Sequence, residues 1–477
     1  MRTSTATAYN YSVAGHLPFG VPKREKAQKS SGFWADRTYR FCIKDNVLID
    51  PAVGSGAFPL GMLNEIVKVR NIITSYMMIE LNGAQRLLLH SERNPYRMKR
   101  ETIRDCIFAC DIEPSAVDIT KLRLWLSLVI DNQIMGEENE ELGYSTKPRE
   151  LPNLDCNIIC GNSLLDEFMG HKLMTENDAL KNVSEGYQGT FDDQKFFRII
   201  NELIDLQTRL YDEKDHTEKD SLKQQIQDKY DSIVLEQIGQ NQQLADAYYQ
   251  ASQQPSRPFV LWQLYFPKVF RDNGGFDIVI GNPPYGALFS DNEKRVLDRV
   301  FENSDVPDYE SADFFIELGR RVICDSGILS YIIPNMFMSN VFAKKYRHHL
   351  LRTWLIKEID NLSEIDVFES ASVRNCIVFL NVVLEITKTL FSKKTIGNNS
   401  IISLKSKELS KQELINDIDN WLNMIDKDET VLCITAKMVQ NSTLLKDIAE
   451  ISQGLIPYDK YRGHTPEMIK NKIWNTG

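Results

Sequence analysis

The fold of this chain is decided by residues 275–285, which read Gly275-Phe276-Asp277-Ile278-Val279-Ile280-Gly281-Asn282-Pro283-Pro284-Tyr285. The apolar, β-branched run from Phe276 to Ile280 predicts a buried parallel strand. Two successive prolines end it, because proline lacks an N–H and fixes φ. Asn282, the Pro283 carbonyl and the Tyr285 ring would project from the carboxyl end of the strand, where open α/β sheets bind ligands. A strand-ending Pro-Pro turn with a packed tyrosine is the competing interpretation of Pro-Pro-Tyr alone.

A second informative stretch follows the apolar run Val47-Leu48-Ile49 and reads Asp50-Pro51-Ala52-Val53-Gly54-Ser55-Gly56-Ala57-Phe58. A helical pattern comes after it, so the order is strand, glycine turn and helix. Gly54 and Gly56 allow a tight turn and close backbone approach, and the helix N-terminus offers free N–H groups. Asp50 disfavours a phosphate at this point, but it suits a ligand that carries an ammonium group.

Two further strands are predicted before the central one. Residues 106–110 are interpreted as the second strand, and Asp111 and Glu113 at its end could accept both hydroxyls of a ribose. Their distance from the glycine turn exceeds the roughly 20 residues of the dinucleotide fingerprint, which counts against NAD. Residues 157–160 form the predicted third strand, which ends in Gly161-Asn162-Ser163.

The eight cysteines leave two interpretations open. Cys106/Cys110 and Cys156/Cys160 have a spacing that could supply metal ligands. Both pairs lie in or beside apolar, strand-like runs, however, and free cysteine is often buried. We favour core cysteines over a zinc site and therefore predict no metal.

Charge and hydropathy restrict the function. The formal net charge of −10 has the wrong sign for a protein that grips nucleic acid over its whole surface. The run Lys344-Lys345-Tyr346-Arg347-His348-His349, with Arg352 beyond it, is the best basic candidate. We prefer the interpretation that this run is a solvated helix face. No apolar run has transmembrane length and no export signal is recognisable, so we expect a cytoplasmic protein without a membrane partner.

Taken in order, these motifs resemble the N6-adenine DNA methyltransferases, specifically the branch found in fused type II (type IIG-like) restriction–modification enzymes. The resemblance extends from about residue 47 to 455. It depends on the stretches 50–58, 110–114, 160–164, 266–267, 281–285, 327–335 and 368–371. It implies an α/β fold with the Rossmann-like mixed sheet of S-adenosylmethionine-dependent methyltransferases, a helical insertion and the start of a C-terminal recognition domain.

The resemblance also implies domains and site residues. We expect an irregular segment over 1–40, a cofactor-binding half over 41–169, a helical insertion over 170–257, a catalytic half over 258–435 and the start of a truncated recognition domain over 436–477. The loop at Gly54 and Gly56 would hold the methionine part of S-adenosylmethionine, Asp111 its ribose, and Asn162 would approach its adenine amino group. The other implied cofactor residues are Asp50, Pro51, Ala52, Phe58 and Ile112. Asn282, Pro283 and Tyr285 would be catalytic, with Tyr285 and Phe368 contacting the flipped base.

The chain also departs from the pattern of that branch. The glycine-and-aromatic segment that normally precedes the cofactor turn is not recognisable in residues 1–46. We expect no nuclease in this chain and only the first residues of a recognition domain, so either could belong to a longer protein.

Three functions compete at this stage. The first is transfer of a methyl group from S-adenosylmethionine to the N6 amino group of a flipped adenine in double-stranded DNA, as part of a bacterial restriction–modification system. The second is methylation of a protein glutamine, because that amide presents a similar planar amino group. The third is a non-catalytic fragment that keeps the fold.

Overall fold

A computed structural model describes residues 46–79, 81–141, 151–168, 171–172, 191–368, 373–382, 388–397 and 400–424, with short pieces at 434, 437–438, 442–443 and 445–449. Contacts divide the chain into two units, residues 1–425 and 426–477. In the second unit the described helix is Leu445–Ile448. The segment predicted over 1–40, and most of the one predicted over 436–477, lie outside the described residues.

A nine-stranded sheet forms the centre of the first unit, in the order β11-β10-β8-β9-β7-β6-β1-β2-β3. Its strands are β1 (Leu48–Asp50), β2 (Ile107–Asp111), β3 (Ile158–Cys160), β6 (Phe276–Gly281), β7 (Ile323–Pro334), β8 (Leu355–Asn361), β9 (Asn375–Asn381), β10 (Lys388–Gly397) and β11 (Ser400–Ser410). The short strands β4 (Glu167–Phe168) and β5 (His171–Lys172) pair separately. Within the large sheet β9 and β11 are antiparallel to their neighbours, and the other pairings are parallel.

The direction of chain winding reverses between β1 and β6. From β1 the chain proceeds through β2 to β3 on one side, and it then returns to β6 and β7 on the other side. In an open α/β sheet such a reversal creates a crevice at the carboxyl ends of the two central strands. The expected α/β fold with a Rossmann-like mixed sheet is confirmed, and the crevice lies where Asp50 and Gly281 end their strands.

Helices cover both faces of this sheet. They are α1 (Ala57–Ile79), α2 (Gly83–Glu92), α3 (Pro95–Cys106), α4 (Pro114–Glu141), α5 (Phe191–Asp212), α6 (His216–Ile238), α7 (Gln242–Ser252), α8 (Trp262–Tyr265), α9 (Pro267–Asn273), α10 (Asp291–Val300), α11 (Ser311–Val322), α12 (Lys344–Thr353) and α13 (Lys411–Asn416). Leu48 and Ala109 pack in one core with residues of α1, α3 and α4. Ile49 and Cys110, the alternate strand residues, pack in the other core. Burial on both faces explains why these strands are continuously apolar.

Helices α5, α6 and α7 occupy the chain between β5 and β6, within the region predicted as a helical insertion. Ile200 and Leu203 of α5 and Val234 of α6 are fully buried in the same core as Phe266. The apolar residues at helical spacing therefore pack onto the main sheet domain as well as onto each other. The residue limits assigned to the domains stay predictions.

Two local features differ from the sequence analysis. The second strand, expected over 106–110, is present one residue later as Ile107–Asp111, because Cys106 is the last residue of α3. Sequence analysis did not identify the long antiparallel hairpin that β10 and β11 form. Lysines hide its alternating pattern. One of them, Lys394, is buried because its Nζ lies 3.0 Å from Asp360 Oδ1 on the neighbouring β8.

The basic run at 344–349 is not simply a solvated helix face. Arg347 is fully buried in α12, and its guanidinium donates hydrogen bonds to the carbonyls of Phe337, Asn340, Ile418 and Asp419. The solvated interpretation holds for the other side of the helix, where Lys344, Lys345, His348 and Arg352 are exposed. The buried arginine joins segments far apart in sequence because a buried cation requires several acceptors.

Candidate active site at the carboxyl ends of the central strands

The glycine turn after β1 has the conformation that its sequence predicts. Gly54 and Gly56 have φ values of 53° and 79°, in the left-handed region that favours glycine. Thr120 of α4 donates from Oγ1 to the Gly54 carbonyl at 3.1 Å. A Cβ atom on Gly56 would lie 2.8 Å from Thr120 Oγ1, so α4 leaves no room for a side chain there. Sequence analysis did not identify Thr120, because its role depends on helix packing.

Asp111, at the end of β2, holds this turn in place. Its Oδ2 accepts a hydrogen bond from the Gly54 N–H at 2.7 Å, and its Oδ1 accepts one from the Glu113 N–H at 2.9 Å. Asp111 is half-buried, and each carboxylate oxygen keeps a second lone pair for another donor. The residue predicted to bind ribose is therefore also the residue that shapes the turn.

Asp50, the last residue of β1, is a buried acid in the crevice. It is 1% exposed, and burial raises its pKa from 3.8 to about 8. Its Oδ1 accepts a hydrogen bond from the Ala52 N–H at 3.1 Å, whereas its Oδ2 has no hydrogen-bond partner in the described part of the chain. A buried carboxylate oxygen without a partner fits a cationic ligand such as the ammonium group of S-adenosylmethionine.

The end of β6 lies directly against Asp50. A Cβ atom on Gly281 would be 2.6 Å from Asp50 Oδ1, so only glycine permits this approach. The β1–β6 pairing of Ile49 with Val279 sets the register. The predicted cofactor turn and the Asn-Pro-Pro-Tyr loop thus start from adjacent strand ends in the crevice.

Within that loop, Tyr285 and Asn282 are hydrogen-bonded to each other. The Tyr285 hydroxyl donates to Asn282 Oδ1 at 2.9 Å, and burial raises the pKa of Tyr285. Both residues are half-buried, Pro283 is buried and Pro284 is exposed. One lone pair of the Asn282 amide oxygen is therefore occupied, and the second remains for another donor.

Two residues at the start of α11 make hydrogen bonds to the Asn-Pro-Pro-Tyr loop. Ser311 is fully buried, and its Oγ donates to the Pro284 carbonyl at 2.6 Å and accepts from the Ala287 N–H at 3.2 Å. Glu310 Oε1 accepts from the Gly286 N–H at 3.0 Å. Sequence analysis missed both residues. The available signal was a polar pair, Glu310-Ser311, that directly precedes a long apolar helical run.

The end of β3 is fixed to the glycine turn through Ser163, which was not predicted as a site residue. Its Oγ donates to the Pro51 carbonyl at 2.6 Å, and its own carbonyl accepts from Trp262 Nε1 at 3.2 Å. Its neighbour Asn162 is half-buried, and Asn162 Oδ1 accepts from the Leu164 N–H at 3.2 Å. Asn162 Oδ1, which was predicted to approach the adenine amino group of the cofactor, thus already accepts one hydrogen bond within the local turn.

Two aromatic site residues pack against one small core. Phe58, from the cofactor turn, and Phe368 both contact the cluster formed by Ile332, Leu362 and Ile365. Ile112, another predicted cofactor residue, is 56% exposed beside Asp111, so an apolar surface is available next to that carboxylate.

The cysteines contribute packing. Cys106 and Cys110 are buried, and Cys156 and Cys160 are partly buried. Burial raises the pKa of the Cys156 thiol to about 12, which keeps it protonated. Among the residues that the structure describes, no group of three or more His, Cys, Asp and Glu is arranged to hold a metal ion. In the same part of the chain no helix has both the length and the apolar character needed to cross a bilayer.

The sheet order, the glycine turn and the crevice define an α/β protein with a Rossmann-like mixed sheet and a ligand crevice at its switch point. Residues 105–368 match the model of the Eco57I restriction-modification methylase family, and the chain belongs to that family.

This chain spans between a quarter and about two fifths of the length of the two curated relatives described next. A protein of Methanocaldococcus jannaschii, RM.MjaORFECS2P, assigned by name as a type II restriction enzyme and methyltransferase, is 26% identical over 87% of this chain and 37% of its own length. The type II restriction enzyme and methyltransferase RM.Eco57I of Escherichia coli is 23% identical over 71% of this chain and 25% of its own length. A solved structure of the Type ISP restriction-modification enzyme LlaGI, a nuclease-deletion mutant with a DNA substrate mimic, covers 83% of this chain and 26% of that chain at 12% identity and a TM-score of 0.39.

Proposed function

We propose that this chain transfers a methyl group from S-adenosylmethionine to the N6 amino group of adenine in DNA, within a restriction–modification system of the cytoplasm. The observation that carries the proposal is the contact of Asp50 with Gly281. It brings a turn suited to an ammonium-bearing cofactor next to a loop that presents the acceptors of Asn282 and Pro283.

The residues of the cofactor turn fit S-adenosylmethionine. Asp50 Oδ2 would accept from the ammonium group, the turn at Gly54 and Gly56 would pass along the methionine part, and Asp111 would receive the ribose hydroxyls on its remaining lone pairs. Phe58, Pro51, Ala52 and Ile112 would supply apolar contact, and Asn162 would meet the adenine. When bound, the cofactor supplies an electrophilic methyl group on a sulfonium.

The Asn-Pro-Pro-Tyr loop fits a planar amino group. The lone pair of the adenine N6 is delocalised into the ring, so the amino group is a poor nucleophile. If Asn282 Oδ1 and the Pro283 carbonyl accept its two hydrogens, the nitrogen can pyramidalise and direct its lone pair at the methyl group. This contribution is one of position and electrostatics and requires no titrating histidine.

The target adenine would have to leave the duplex, because its amino group cannot reach the crevice from inside the base stack. Tyr285 offers a flat face for stacking on the flipped base. Phe368 would also contact the flipped base. The Tyr285–Asn282 hydrogen bond positions the ring beside the acceptor before the base arrives.

The test is methyl transfer from S-adenosylmethionine labelled in the methyl group, offered separately to double-stranded DNA and to a protein substrate with exposed glutamines. Label in DNA, recovered after digestion as N6-methyldeoxyadenosine, is the expected result. Label in glutamine would establish the second function instead. Cofactor binding without transfer to either substrate would mean that the chain keeps the fold without the activity.

A further inference from the structure

Two adjacent large apolar side chains are exposed to solvent on a turn that follows β7. Val341 and Phe342 are 79% and 74% exposed, in a short 3-10 turn that follows β7. Leu288, three residues beyond Tyr285 in the Asn-Pro-Pro-Tyr loop, is 98% exposed. Val341 and Phe342 are adjacent, and neighbouring exposed apolar side chains mark an interaction surface more often than isolated ones do.

A short series of contacts connects this turn to the catalytic loop. The turn Val341–Ala343 packs against the 3-10 turn Pro307–Tyr309. The next residue, Glu310, accepts a hydrogen bond from the Gly286 N–H of the loop. The turn that carries Phe342 is therefore connected, through Glu310, to the loop that carries Asn282.

The segment that packs against the Val341–Ala343 turn contains residues with left-handed backbone conformations. Asp305, Asp308 and Tyr309 have φ values of 56°, 50° and 53°, in the left-handed region that such residues rarely adopt. Backbone strain of this kind persists only where surrounding contacts enforce it, and it is concentrated at functional sites. The Tyr309 hydroxyl donates to the Asp298 carboxylate at 2.9 Å, and Lys294 lies 5.3 Å from the centre of the Tyr309 ring.

The charge next to Phe342 is positive on one side. Helix α12 begins two residues after Phe342 and contains no acidic residue. Its exposed side carries Lys344, Lys345, His348 and Arg352. Lys344 and Arg352 are paired with Asp419 and Asp305, whereas Lys345 makes none of the described ion pairs. On the other side α10 and the turn after it are acidic, with Asp291, Glu293, Asp298, Glu302, Asp305 and Asp308 outnumbering Lys294, Arg295 and Arg299.

We propose that Val341 and Phe342 form an apolar wedge that enters the DNA base stack beside the flipped adenine, while Lys345 on the exposed side of α12 contacts a phosphate. The proposal rests on the function proposed above and adds the surface that meets the duplex. Proteins that extrude or kink base steps commonly insert apolar side chains to replace the lost stacking. The acidic α10 side repels phosphates, so the DNA backbone runs along α12. The exposed side of the basic run at 344–349 would thus contact DNA, while its buried side holds Arg347.

The first test measures DNA binding without requiring activity. Fluorescence anisotropy of a labelled duplex is followed over a series of salt concentrations for the full chain. Phe342→Ala should raise Kd on the order of ten-fold at every salt concentration, since one stacking contact is lost. Lys345→Ala should weaken binding and reduce the salt slope by about one. Tyr76→Ala and Lys68→Ala on α1 are the matched controls for the aromatic and the lysine variant. Tyr76 is 70% exposed, and both control variants should bind DNA as the parent does. A parent that does not bind the duplex, or two variants with parental Kd and slope, would overturn the proposal.

The second test separates the wedge from the methyl transfer itself. Initial rates are measured on genomic DNA in double-stranded and heat-denatured form. A single strand needs no wedge, so Phe342→Ala should lose on the order of ten-fold on duplex and remain near the parental rate on denatured DNA. Equal losses on both forms would refute the wedge. A parent that binds the duplex with the predicted variant effects, yet transfers no methyl group to either form, would refute the proposed function and leave the DNA surface in place.

Discussion

Replacing Ser311 with alanine tests how the Asn-Pro-Pro-Tyr loop is held. The Ser311 hydroxyl is fully buried and makes two hydrogen bonds to the loop, one to the Pro284 carbonyl and one from the Ala287 N–H. Ser311→Ala removes both bonds and adds no atoms. The loop would then be held from this side by Glu310, through its hydrogen bond from the Gly286 N–H.

The structure sets the size of the expected effect. Each hydrogen bond contributes about 1 kcal/mol net, so loss of both should lower the free energy of unfolding by about 2 kcal/mol. A larger loss is not expected, because Pro284 is exposed and Ala287 is half-buried, which lets water reach the freed groups. Methyl transfer should suffer more, because a displacement of about 1 Å in a reacting group can cost roughly 10²-fold in rate.

Urea unfolding and steady-state kinetics together check this prediction. Ser311→Ala should lower kcat by about 10- to 100-fold while the affinity for S-adenosylmethionine stays parental. Ser304→Ala is the matched control: its hydroxyl is also buried, and it donates at 2.7 Å to the Phe301 carbonyl, away from the loop. That control should lose about 1 kcal/mol of stability and keep its kcat. A parental kcat in Ser311→Ala, or an equal loss of kcat in Ser304→Ala, would refute the positioning role.

Three further predictions concern the charged residues Asp111, Asp50 and Arg347. Asp111→Ala should weaken S-adenosylmethionine binding in calorimetry, because the Gly54 N–H loses its acceptor and the ribose loses its partner; an unchanged affinity would mean that the assignment of Asp111 is wrong. Burial raises the pKa of Asp50 from 3.8 to about 8, so between these values the folded protein holds a proton that the unfolded chain has released. The cofactor-free parent should therefore lose stability as pH rises through this window, and Asp50→Asn should remove that loss; identical profiles of Tm against pH would contradict it. Arg347→Ala leaves buried carbonyls without their donor and should cost at least about 3 kcal/mol in urea unfolding, whereas Arg352→Ala on the exposed side should change stability by less than about 0.5 kcal/mol.

Much of the sheet could be predicted because its signals are local. The apolar run that ends at Gly281 and the glycine turn at Gly54 and Gly56 are contiguous in sequence and correspond to β6 and to the turn after β1. Their proximity also followed from a general rule, since the carboxyl ends of parallel strands at a switch point share one crevice.

The remaining features depend on distant parts of the chain. Arg347 is buried because carbonyls about 70 residues later accept its hydrogen bonds, as the Ile418 carbonyl does at 2.6 Å. Lys394 is buried because β8 brings Asp360 to it. Ser311 acquires its role only when α11 folds against the loop at Pro284. A local pattern of polar residues gives no indication of such partners. The run that contains Arg347 was therefore interpreted as a solvated helix face, and no role was predicted for Lys394 or Ser311.

The central claim is that Asn282 accepts a hydrogen bond from the amino group of adenine during methyl transfer. The most direct measurement compares the parent and Asn282→Ala for formation of N6-methyldeoxyadenosine in double-stranded DNA, by mass spectrometry of nucleosides, alongside S-adenosylmethionine binding by calorimetry. We expect Asn282→Ala to lose about 10²–10³ in rate and to bind the cofactor as the parent does. Parental methylation by Asn282→Ala, or an equal loss of cofactor affinity, would contradict this account of the site.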